Sequence, residues 1–311
     1  MPPLKTLAIS VGDLNGVGFE IILKAHVRIR TLCRPLYCID RLMAERAAAL
    51  LGNTLPDDFE CHSVGESFEI RPGCVDATSG HYSYNSFKEA VELAKTGTAD
   101  AVVTLPIHKE AWMRAGIAYK GHTDALRDFF SQDAIMMLGC EQLYVALFTE
   151  HIPLREVADR LDAESLIAFL IRFYRSTKAQ KAGVLGLNPH AGDHGVLGDE
   201  EGFIEEAIKE ANRRIGHEVF EGPIVPDIAF TPRFRERYGF IVAMYHDQGL
   251  GPLKALYFDE SINVSLGLPI VRTSVDHGTA FDIAYQNRAS VTSYLNAVKA
   301  ATTLQRYQEN E

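Results

Sequence analysis

Residues 240–249 read Phe-Ile-Val-Ala-Met-Tyr-His-Asp-Gln-Gly. The first six residues form a short apolar run, and this pattern predicts a buried β-strand. Imidazole, carboxylate and amide side chains follow at once, in His246, Asp247 and Gln248. Because α/β enzymes keep reactive groups in loops at the ends of strands, this stretch predicts an α/β fold with an active-site strand.

The remainder of the chain alternates short apolar strands with helical patterns. The other predicted strands are 7–10, 35–39, 101–105, 135–138, 143–148 and 182–187. The predicted helices are 18–27, 43–51, 86–95 with Asn85 as its N-cap, 165–174 after Asp162, 199–215, and one from about Ser290. The run 101–105 is typical of parallel strands that are buried on both faces. The alternation predicts mainly parallel strands, arranged in two sheets.

Composition narrows the possible classes of protein. The chain has 311 residues, of which 47% are hydrophobic and 23% charged, as in soluble globular proteins. Its 31 basic and 41 acidic residues give a net charge of -10, which argues against non-specific binding to nucleic acid. An anionic substrate would therefore need a local positive cluster, and Lys254 and Arg272 offer one.

The cysteines and the apolar runs predict the compartment. Five cysteines without a CxxC pair favour a reducing cytoplasm over a disulfide framework. A strand is predicted almost at the start of the chain, so no signal peptide is expected. No apolar run approaches the ~20 residues of a membrane span. We therefore expect a soluble, cytoplasmic protein.

Three histidines share one context, because each follows an apolar strand. They are His151, His190 and His246. Neighbouring parallel strands end at the same edge of a sheet, so these side chains could converge. Three imidazoles with an open fourth position are typical of catalytic zinc, although Mg²⁺ or Co²⁺ with added oxygen ligands is also possible. The alternative is that each histidine is a separate structural or exposed residue.

Two glycine-containing segments admit two interpretations each. His122 and Thr123 lie near a predicted helix start, where they could bind a phosphate or carboxylate, or where Thr123 or Asp124 could cap the helix. Residues 12–18 link the first strand to the first helix. They lack the Gly-x-Gly-x-x-Gly spacing of a dinucleotide loop, and a tight turn explains them equally well.

Lys254, Asn263 and Arg272 could bind a phosphorylated acid or could be solvated surface residues. Asn263 and Arg272 interrupt apolar runs, which favours the first interpretation.

At these residues the chain resembles the 4-hydroxythreonine-4-phosphate dehydrogenase (PdxA) family of pyridoxine biosynthesis. The resemblance is carried by the motifs at residues 121–123 (GHT), 151–154 (HIPL), 188–192 (NPHAG), 245–249 (YHDQG), 263–269 (NVSLGLP) and 272–280 (RTSVDHGTA). These motifs occur in the family's order over most of the chain. The last three together are highly specific.

The resemblance implies a role for each site residue. It makes His151, His190 and His246 the ligands of a divalent metal (Zn²⁺, Mg²⁺ or Co²⁺). It makes His122, Thr123, Lys254, Asn263 and Arg272 contacts of the phosphorylated substrate. Asp247 is a candidate for the catalytic base or for a residue that orients a ligand. The residues that bind NAD or NADP are not indicated.

The resemblance also implies the architecture. The family has two α/β/α domains of the isocitrate and isopropylmalate dehydrogenase type, with the active cleft at a homodimer interface. The expected domains are 1–126 plus 286–311, and 127–285, with a cleft between them and most metal and phosphate residues on the second. His151 is expected to come from the partner subunit. The first loop and Leu105-Pro106 depart from the family pattern, which leaves the lining of the cofactor end open.

The implied reaction is oxidation of 4-phosphooxy-L-threonine followed by loss of CO₂. Close relatives that oxidise other phosphorylated four-carbon hydroxy acids, such as erythronate or threonate 4-phosphate, provide an alternative substrate class. A metal-dependent hydrolase without nicotinamide and a non-catalytic phosphometabolite-binding protein are rival hypotheses. Formation of reduced nicotinamide excludes the hydrolase, and metal analysis separates the binding protein.

Overall fold

The computed structural model describes residues 3–307 of the chain. Its backbone divides into two compact units. Among the described residues, the first unit comprises 3–134 together with Leu268–Leu304, and the second comprises Ile135–Gly267 with residues 305–307. Each unit combines a β-sheet with helices.

The described residues form eleven strands: β1 Thr6–Ser10, β2 Arg34–Cys38, β3 Cys61–His62, β4 Ala101–Thr104, β5 Ile135–Cys140, β6 Leu143–Leu147, β7 Ala182–Leu185, β8 Phe220–Ile224, β9 Phe240–Ala243, β10 Ile262–Leu266 and β11 Arg272–Val275. The α-helices are α1 Gly18–Ile29, α2 Arg41–Leu50, α3 Ala77–Lys95, α4 Lys109–Arg114, α5 His122–Phe130, α6 Ala163–Thr177, α7 Glu201–Ile215, α8 Pro232–Arg235, α9 His246–Tyr257 and α10 Thr292–Thr303. None of the helices within residues 3–307 is long and apolar enough to cross a membrane.

The sheet of the first unit is parallel throughout. Its strand order is β3-β2-β1-β4-β11. All four residues of β4 are buried, as expected for a strand covered on both faces. Strands β2 and β3 are added on one side of β1, and β4 is added on the other side. The loops that follow β1 and β4 therefore lead away in opposite directions from neighbouring points of the sheet edge.

The sheet of the second unit is mixed. Its order is β10-β5-β6-β9-β7-β8, and only β10-β5 and β5-β6 are antiparallel among these pairs. The central strand β9 pairs in parallel with β6 on one side and β7 on the other. The predicted α/β fold with mainly parallel strands is confirmed.

The predicted cap at Asn85 is wrong. Helix α3 begins at Ala77, and Asp76 occupies the N-cap, where its carboxylate accepts hydrogen bonds from the backbone N–H groups of Thr78 and Ser79. The first turns of this helix contain Thr, Ser and Gly, which have low helix propensity, so the apolar periodicity becomes visible only later. The prediction of Asp162 ahead of α6 is confirmed, since Asp162 is its N-cap and accepts from the N–H of Ser165.

The segment after β9 is a helix and not the predicted loop. Helix α9 starts at His246 and runs to Tyr257, although it contains Gly249, Gly251 and Pro252. These residues disfavour an isolated helix, so tertiary packing must stabilise this one. The packing is visible at Gly249, where a Cβ atom would lie 2.6 Å from Val145 Cγ1 and 2.9 Å from Ala243 Cβ.

The compact units differ from the predicted domains at three segments, one of which is residues 305–307, which group with the second unit and not with the first. Residues 127–134 and 268–285 belong to the first unit, whereas the prediction assigned them to the second. Arg272 therefore lies with His122 in the first unit. The predicted terminal portion 308–311 lies outside the described residues.

We expect Gly249→Ala to lower the free energy of unfolding by about 1–3 kcal/mol, because the added methyl group overpacks the contact between α9 and the sheet. Gly251→Ala is the matched control. A Cβ at Gly251 meets no atom within 4 Å, and alanine favours a helix by about 1 kcal/mol, so this variant should be at least as stable as the wild type. Equal urea denaturation midpoints for the two variants would contradict the packing argument.

Candidate active site

A buried cation lies at the start of β11 in the first unit. The Arg272 side chain is 3% exposed, and its Nη2 donates to Thr104 Oγ1 at 2.8 Å and to His122 Nδ1 at 3.1 Å. A guanidinium can only donate, so His122 Nδ1 is the acceptor and the ring proton lies on Nε2. These contacts join residues that are 150 positions apart in the chain.

Burial and the neighbouring charge keep His122 neutral. Desolvation lowers the pKa of His122 well below its ordinary value, and the positive charge of Arg272 lowers it further. Burial also lowers the pKa of Arg272 to about 9, which leaves the guanidinium charged at neutral pH. His122 Nε2 is buried without a hydrogen-bond partner. A cation and an unsatisfied N–H donor side by side are suited to an anionic group.

Helix α5 supplies further donors at this position. His122 is its first residue and Gly121 occupies the N-cap, so no side chain caps the helix. The alternative that Thr123 or Asp124 is the cap is therefore wrong, and the Asp124 carboxylate instead accepts from the N–H of Lys120 at 2.9 Å. The N–H groups of a first helical turn favour anions. Thr123 is half-buried in this turn.

Two of the three predicted metal ligands lie together in the second unit. Beyond β6, the N–H groups of Phe148 and Thr149 donate to the carbonyls of Ala243 and Met244. The chain therefore continues beside β9. His151 emerges next to His246, and their ring centroids are 5.3 Å apart at an angle of 44°.

This spacing fits a shared metal ion. With metal–nitrogen bonds of about 2.1 Å and a tetrahedral angle, two imidazole centres lie about 5 Å apart. His246 Nδ1 is 2.7 Å from Asp247 Oδ1, which leaves Nε2 as the nitrogen available to a metal. A carboxylate in this position is the usual partner of a metal-binding histidine.

His190 lies on the loop after β7. Its side chain is exposed, and its backbone is left-handed with φ of 54°. Within residues 3–307, no three His, Cys, Asp or Glu side chains are grouped so that they could hold a metal ion. One chain thus brings His151 and His246 together, and His190 does not join them in such a group.

Lys254 and Asn263 belong to other elements of the second unit. Lys254 lies in the last turn of α9, half-buried, with Nζ 5.5 Å from the ring centre of Phe258. Asn263 is half-buried in β10, opposite Leu138 of β5. Because both residues are half-buried, neither is the fully solvated surface residue that the alternative interpretation assumed.

Sequence reasoning missed the structural role of Gln248, whose side chain is hydrogen-bonded to the backbone of two segments. Its Oε1 accepts from the N–H of Met244, and its Nε2 donates to the carbonyl of Gly186, each at 2.7 Å. Gln248 therefore joins the end of β7 to the start of α9. The only sequence signal was its position between His246 and Gly249.

The first glycine-containing loop forms a tight turn, in which the N–H of Gly16 donates to the carbonyl of Asp13 at 3.0 Å. Asp13 is completely buried, and its Oδ1 accepts from the N–H of Asn15 and from the Ser79 hydroxyl. Burial raises the pKa of Asp13. His108 stacks on Phe281 with ring centroids 4.7 Å apart. No pattern in the sequence indicated that Asp13 would be buried or that His108 would stack on Phe281.

The α/β fold, the donor pair of Arg272 and His122 and the histidine pair of His151 and His246 have the chemistry expected of an enzyme that acts on a phosphorylated metabolite. The family model described as pyridoxal phosphate biosynthetic protein PdxA matches residues 31–301, and the chain belongs to this family. The resemblance predicted from the motifs is confirmed.

Named relatives agree with the family. The chain is 60% identical to the 4-hydroxythreonine-4-phosphate dehydrogenase of Sulfurimonas denitrificans over 298 residues, covering 96% of this chain and 97% of the relative. It is 54% identical to the enzyme of that name from Campylobacter fetus, covering 97% and 98%. A crystal structure of a 4-hydroxythreonine-4-phosphate dehydrogenase from Burkholderia phymatum is similar, with 33% identity, a TM-score of 0.82, and coverage of 98% and 99%.

We expect the lowered pKa of His122 to make stability pH-dependent. The unfolded chain takes up a proton at His122 near pH 6.5 whereas the folded chain does not, so this contribution is complete above pH 6.5 and is lost as the pH falls below it. The loss should approach about 1.4 kcal/mol per pH unit. His122→Gln, which has no proton to take up, should show a shallower decline in urea unfolding. Parallel declines in both proteins would contradict a neutral buried His122.

Proposed function

We propose that the chain catalyses the metal- and NAD(P)-dependent oxidation of 4-phosphooxy-L-threonine to 2-amino-3-oxo-4-(phosphooxy)butanoate. This β-keto acid then loses CO₂ to give 3-amino-2-oxopropyl phosphate, a step toward pyridoxal 5'-phosphate. The observation that carries the proposal is 60% identity, over almost the whole chain, to a protein named for this dehydrogenase activity. The five free cysteines support a reducing cytoplasm as its compartment.

The phosphate end of the substrate is assigned to the first unit's anion-binding pair. Arg272 would supply charge, His122 Nε2 an N–H donor, and Thr123 a hydroxyl in the first turn of α5. Lys254 and Asn263 are proposed as further substrate contacts, as the family resemblance implies. Binding energy from a phosphate remote from the reacting carbon orients that carbon as well as holding the substrate.

The reacting hydroxyl is assigned to the histidines. His151, His190 and His246 would hold a divalent cation, and neutral imidazoles are ordinary ligands for Zn²⁺ and Co²⁺. When bound, the cation would supply Lewis-acid polarisation of the hydroxyl and the nicotinamide would supply the hydride acceptor. The hydroxyl proton leaves to a base as the hydride leaves carbon.

Asp247 is proposed to orient His246. Its Oδ1 lies 2.7 Å from His246 Nδ1, so the carboxylate fixes the tautomer and the direction of the ring. The same bond reduces its availability as the base that accepts the hydroxyl proton. The geometry thus favours the orienting role over the catalytic one.

A second copy of the chain is proposed to complete the site. Exposed apolar side chains lie close in sequence to the predicted site residues: Leu154 is 70% exposed, Val196 76% and Phe258 69%. A contiguous exposed apolar patch marks a surface that binds a partner, and we propose that these three side chains contribute to one. An isologous homodimer would contain two equivalent sites.

The activity is tested with purified protein, a divalent metal, NAD⁺ or NADP⁺, and each candidate substrate in turn. We expect absorbance from reduced nicotinamide with 4-phosphooxy-L-threonine, and much less with erythronate or threonate 4-phosphate. Faster reduction with one of the latter would favour the alternative substrate class. Phosphate release without reduced nicotinamide would favour the hydrolase.

We expect Arg272→Ala to raise the KM for 4-phosphooxy-L-threonine more than tenfold, because a charge-assisted contact of about 1.5–3 kcal/mol is lost. Arg272→Lys keeps the charge but not the planar donor pair, and should give an intermediate KM. Metal content should be unchanged in both variants. Unaltered KM values in folded variants would remove Arg272 from the phosphate site.

Mixing inactive subunits tests which chain supplies each histidine. If His151 and His246 of one chain bind the same ion with the partner's His190, as their 5.3 Å spacing favours, His190→Ala should regain activity with either His151→Ala or His246→Ala. Each heterodimer then has at most one intact site. The mixture of His151→Ala with His246→Ala should stay inactive.

Two other outcomes are distinguishable in the same experiment. If His151 alone comes from the partner, as the resemblance implies, His151→Ala should regain activity with either other variant. If all three ligands lie on one chain, no mixture should recover, even when heterodimers are demonstrated by mass.

A further inference from the structure

The loop that carries His190 has an unfavourable backbone. Residues 190–194 are all left-handed, with φ between 45° and 76°, and only Gly192 among them is a glycine. A non-glycine residue in this conformation costs roughly 1–2 kcal/mol. Such a turn persists only where surrounding contacts hold it in place.

One buried carboxylate supplies contacts of this kind. Glu201, the first residue of α7, is 6% exposed. Its Oε1 accepts from the N–H groups of Leu187 at 2.9 Å and Asn188 at 2.7 Å, and its Oε2 accepts from Asn188 Nδ2 at 3.0 Å. These three bonds fix the two residues that lead into Pro189 and His190.

The far side of the loop, at Gly192, also lies close to the Glu201 carboxylate. A Cβ atom at Gly192 would lie 2.6 Å from Glu201 Oε2, so only glycine allows the far side of the loop to approach so closely. The N–H of Ala191 donates to the carbonyl of Asn188 at 3.1 Å, which ties the turn to the residue that Glu201 holds. His190 thus lies between Asn188, which is hydrogen-bonded to Glu201, and Gly192, whose backbone packs close to the same carboxylate.

We propose that Glu201 is the positioning residue that directs His190 toward the metal. This inference rests on the proposed function, because His190 enters it as a metal ligand. In this role Glu201 acts through its hydrogen bonds to Leu187 and Asn188 and not as a metal ligand. Metal–nitrogen bonds are short, at about 2.0–2.1 Å. A displacement of the loop that carries His190 would therefore lengthen and weaken the bond between His190 and the metal. Residues that hold metal ligands in place typically contribute 10- to 100-fold to metal affinity.

The chain provides a matched control in the preceding residue. Glu200 Oε2 also accepts from Asn188 Nδ2, at 2.7 Å, but the N–H groups of Leu187 and Asn188 donate to Glu201. Glu200→Gln therefore removes a charge beside the same loop and leaves the two backbone bonds intact.

The test measures Zn²⁺ affinity of the full-length protein by competition with a chromophoric chelator. We expect Glu201→Ala to bind Zn²⁺ about 10- to 100-fold more weakly than the wild type, approaching His190→Ala. Glu201→Gln retains one oxygen for the backbone bonds and should lose less. Glu200→Gln should stay within about threefold of the wild type. Hydrogen exchange should be faster at the Leu187 and Asn188 amides in Glu201→Ala, and circular dichroism should confirm that it is folded.

Each contrary result has a separate meaning. If His190→Ala weakens Zn²⁺ binding but both Glu201 variants stay within about threefold of the wild type, Glu201 is not a positioning residue and the ligand set stands. If His190→Ala itself leaves Zn²⁺ affinity unchanged, the proposed ligand set fails and the positioning role fails with it. If Glu201→Ala does not fold, the Glu201→Gln affinity decides.

Discussion

The parallel pairing of β9 with β6 and β7 is the constraint on which the second unit's site depends. Ala146 lies opposite Val242, and Val184 lies opposite Val242 on the other side. The three strands therefore run in one direction, and the loops that follow them leave from one edge of the sheet. All four residues of β7 and three of the four residues of β9 are buried, as expected for parallel strands covered on both faces.

In the first unit, the fold must stabilise the buried, charged guanidinium of Arg272. A protonated His122 beside Arg272 would place two positive charges in contact, and the low pKa of His122 avoids this. A donor pair held in place before binding need not reorganise around an anion. A bound phosphate would offset the Arg272 charge and so raise the pKa of His122, which would strengthen its hydrogen bond to the anion.

The sequence predicted most of the elements that pattern alone can determine. The apolar runs of β1, β4 and β9 and the capping Asp162 were recognisable because burial and local hydrogen bonding leave a periodic signal. Helix α9 was not recognisable, since Gly249, Gly251 and Pro252 oppose it locally and its packing against β6 and β9 overrides them.

The residues of the candidate site were likewise only partly predictable from the sequence. Histidines after strands were visible from sequence, because each follows its strand within a few residues. The contact of His122 with Arg272 was not derivable from local pattern, since 150 residues separate them. The family resemblance supplied both residues without their geometry. The structural roles of Gln248 and Glu201 could not be derived from the sequence, because most of their partners are backbone groups that any sequence contains.

Of the four residues after Tyr245, the first two lie at the candidate site and the next two stabilise the backbone. The His246 ring lies next to that of His151, and the Asp247 carboxylate lies 2.7 Å from His246 Nδ1. Gln248 ties α9 to the end of β7, from which the His190 loop departs, and Gly249 permits the helix to pack on the sheet. A change at Gln248 or Gly249 would move His246 without touching its ring. The position of His246 therefore depends on buried neighbours that hold its backbone, so the core of this unit as well as its surface sets the geometry of the histidine pair.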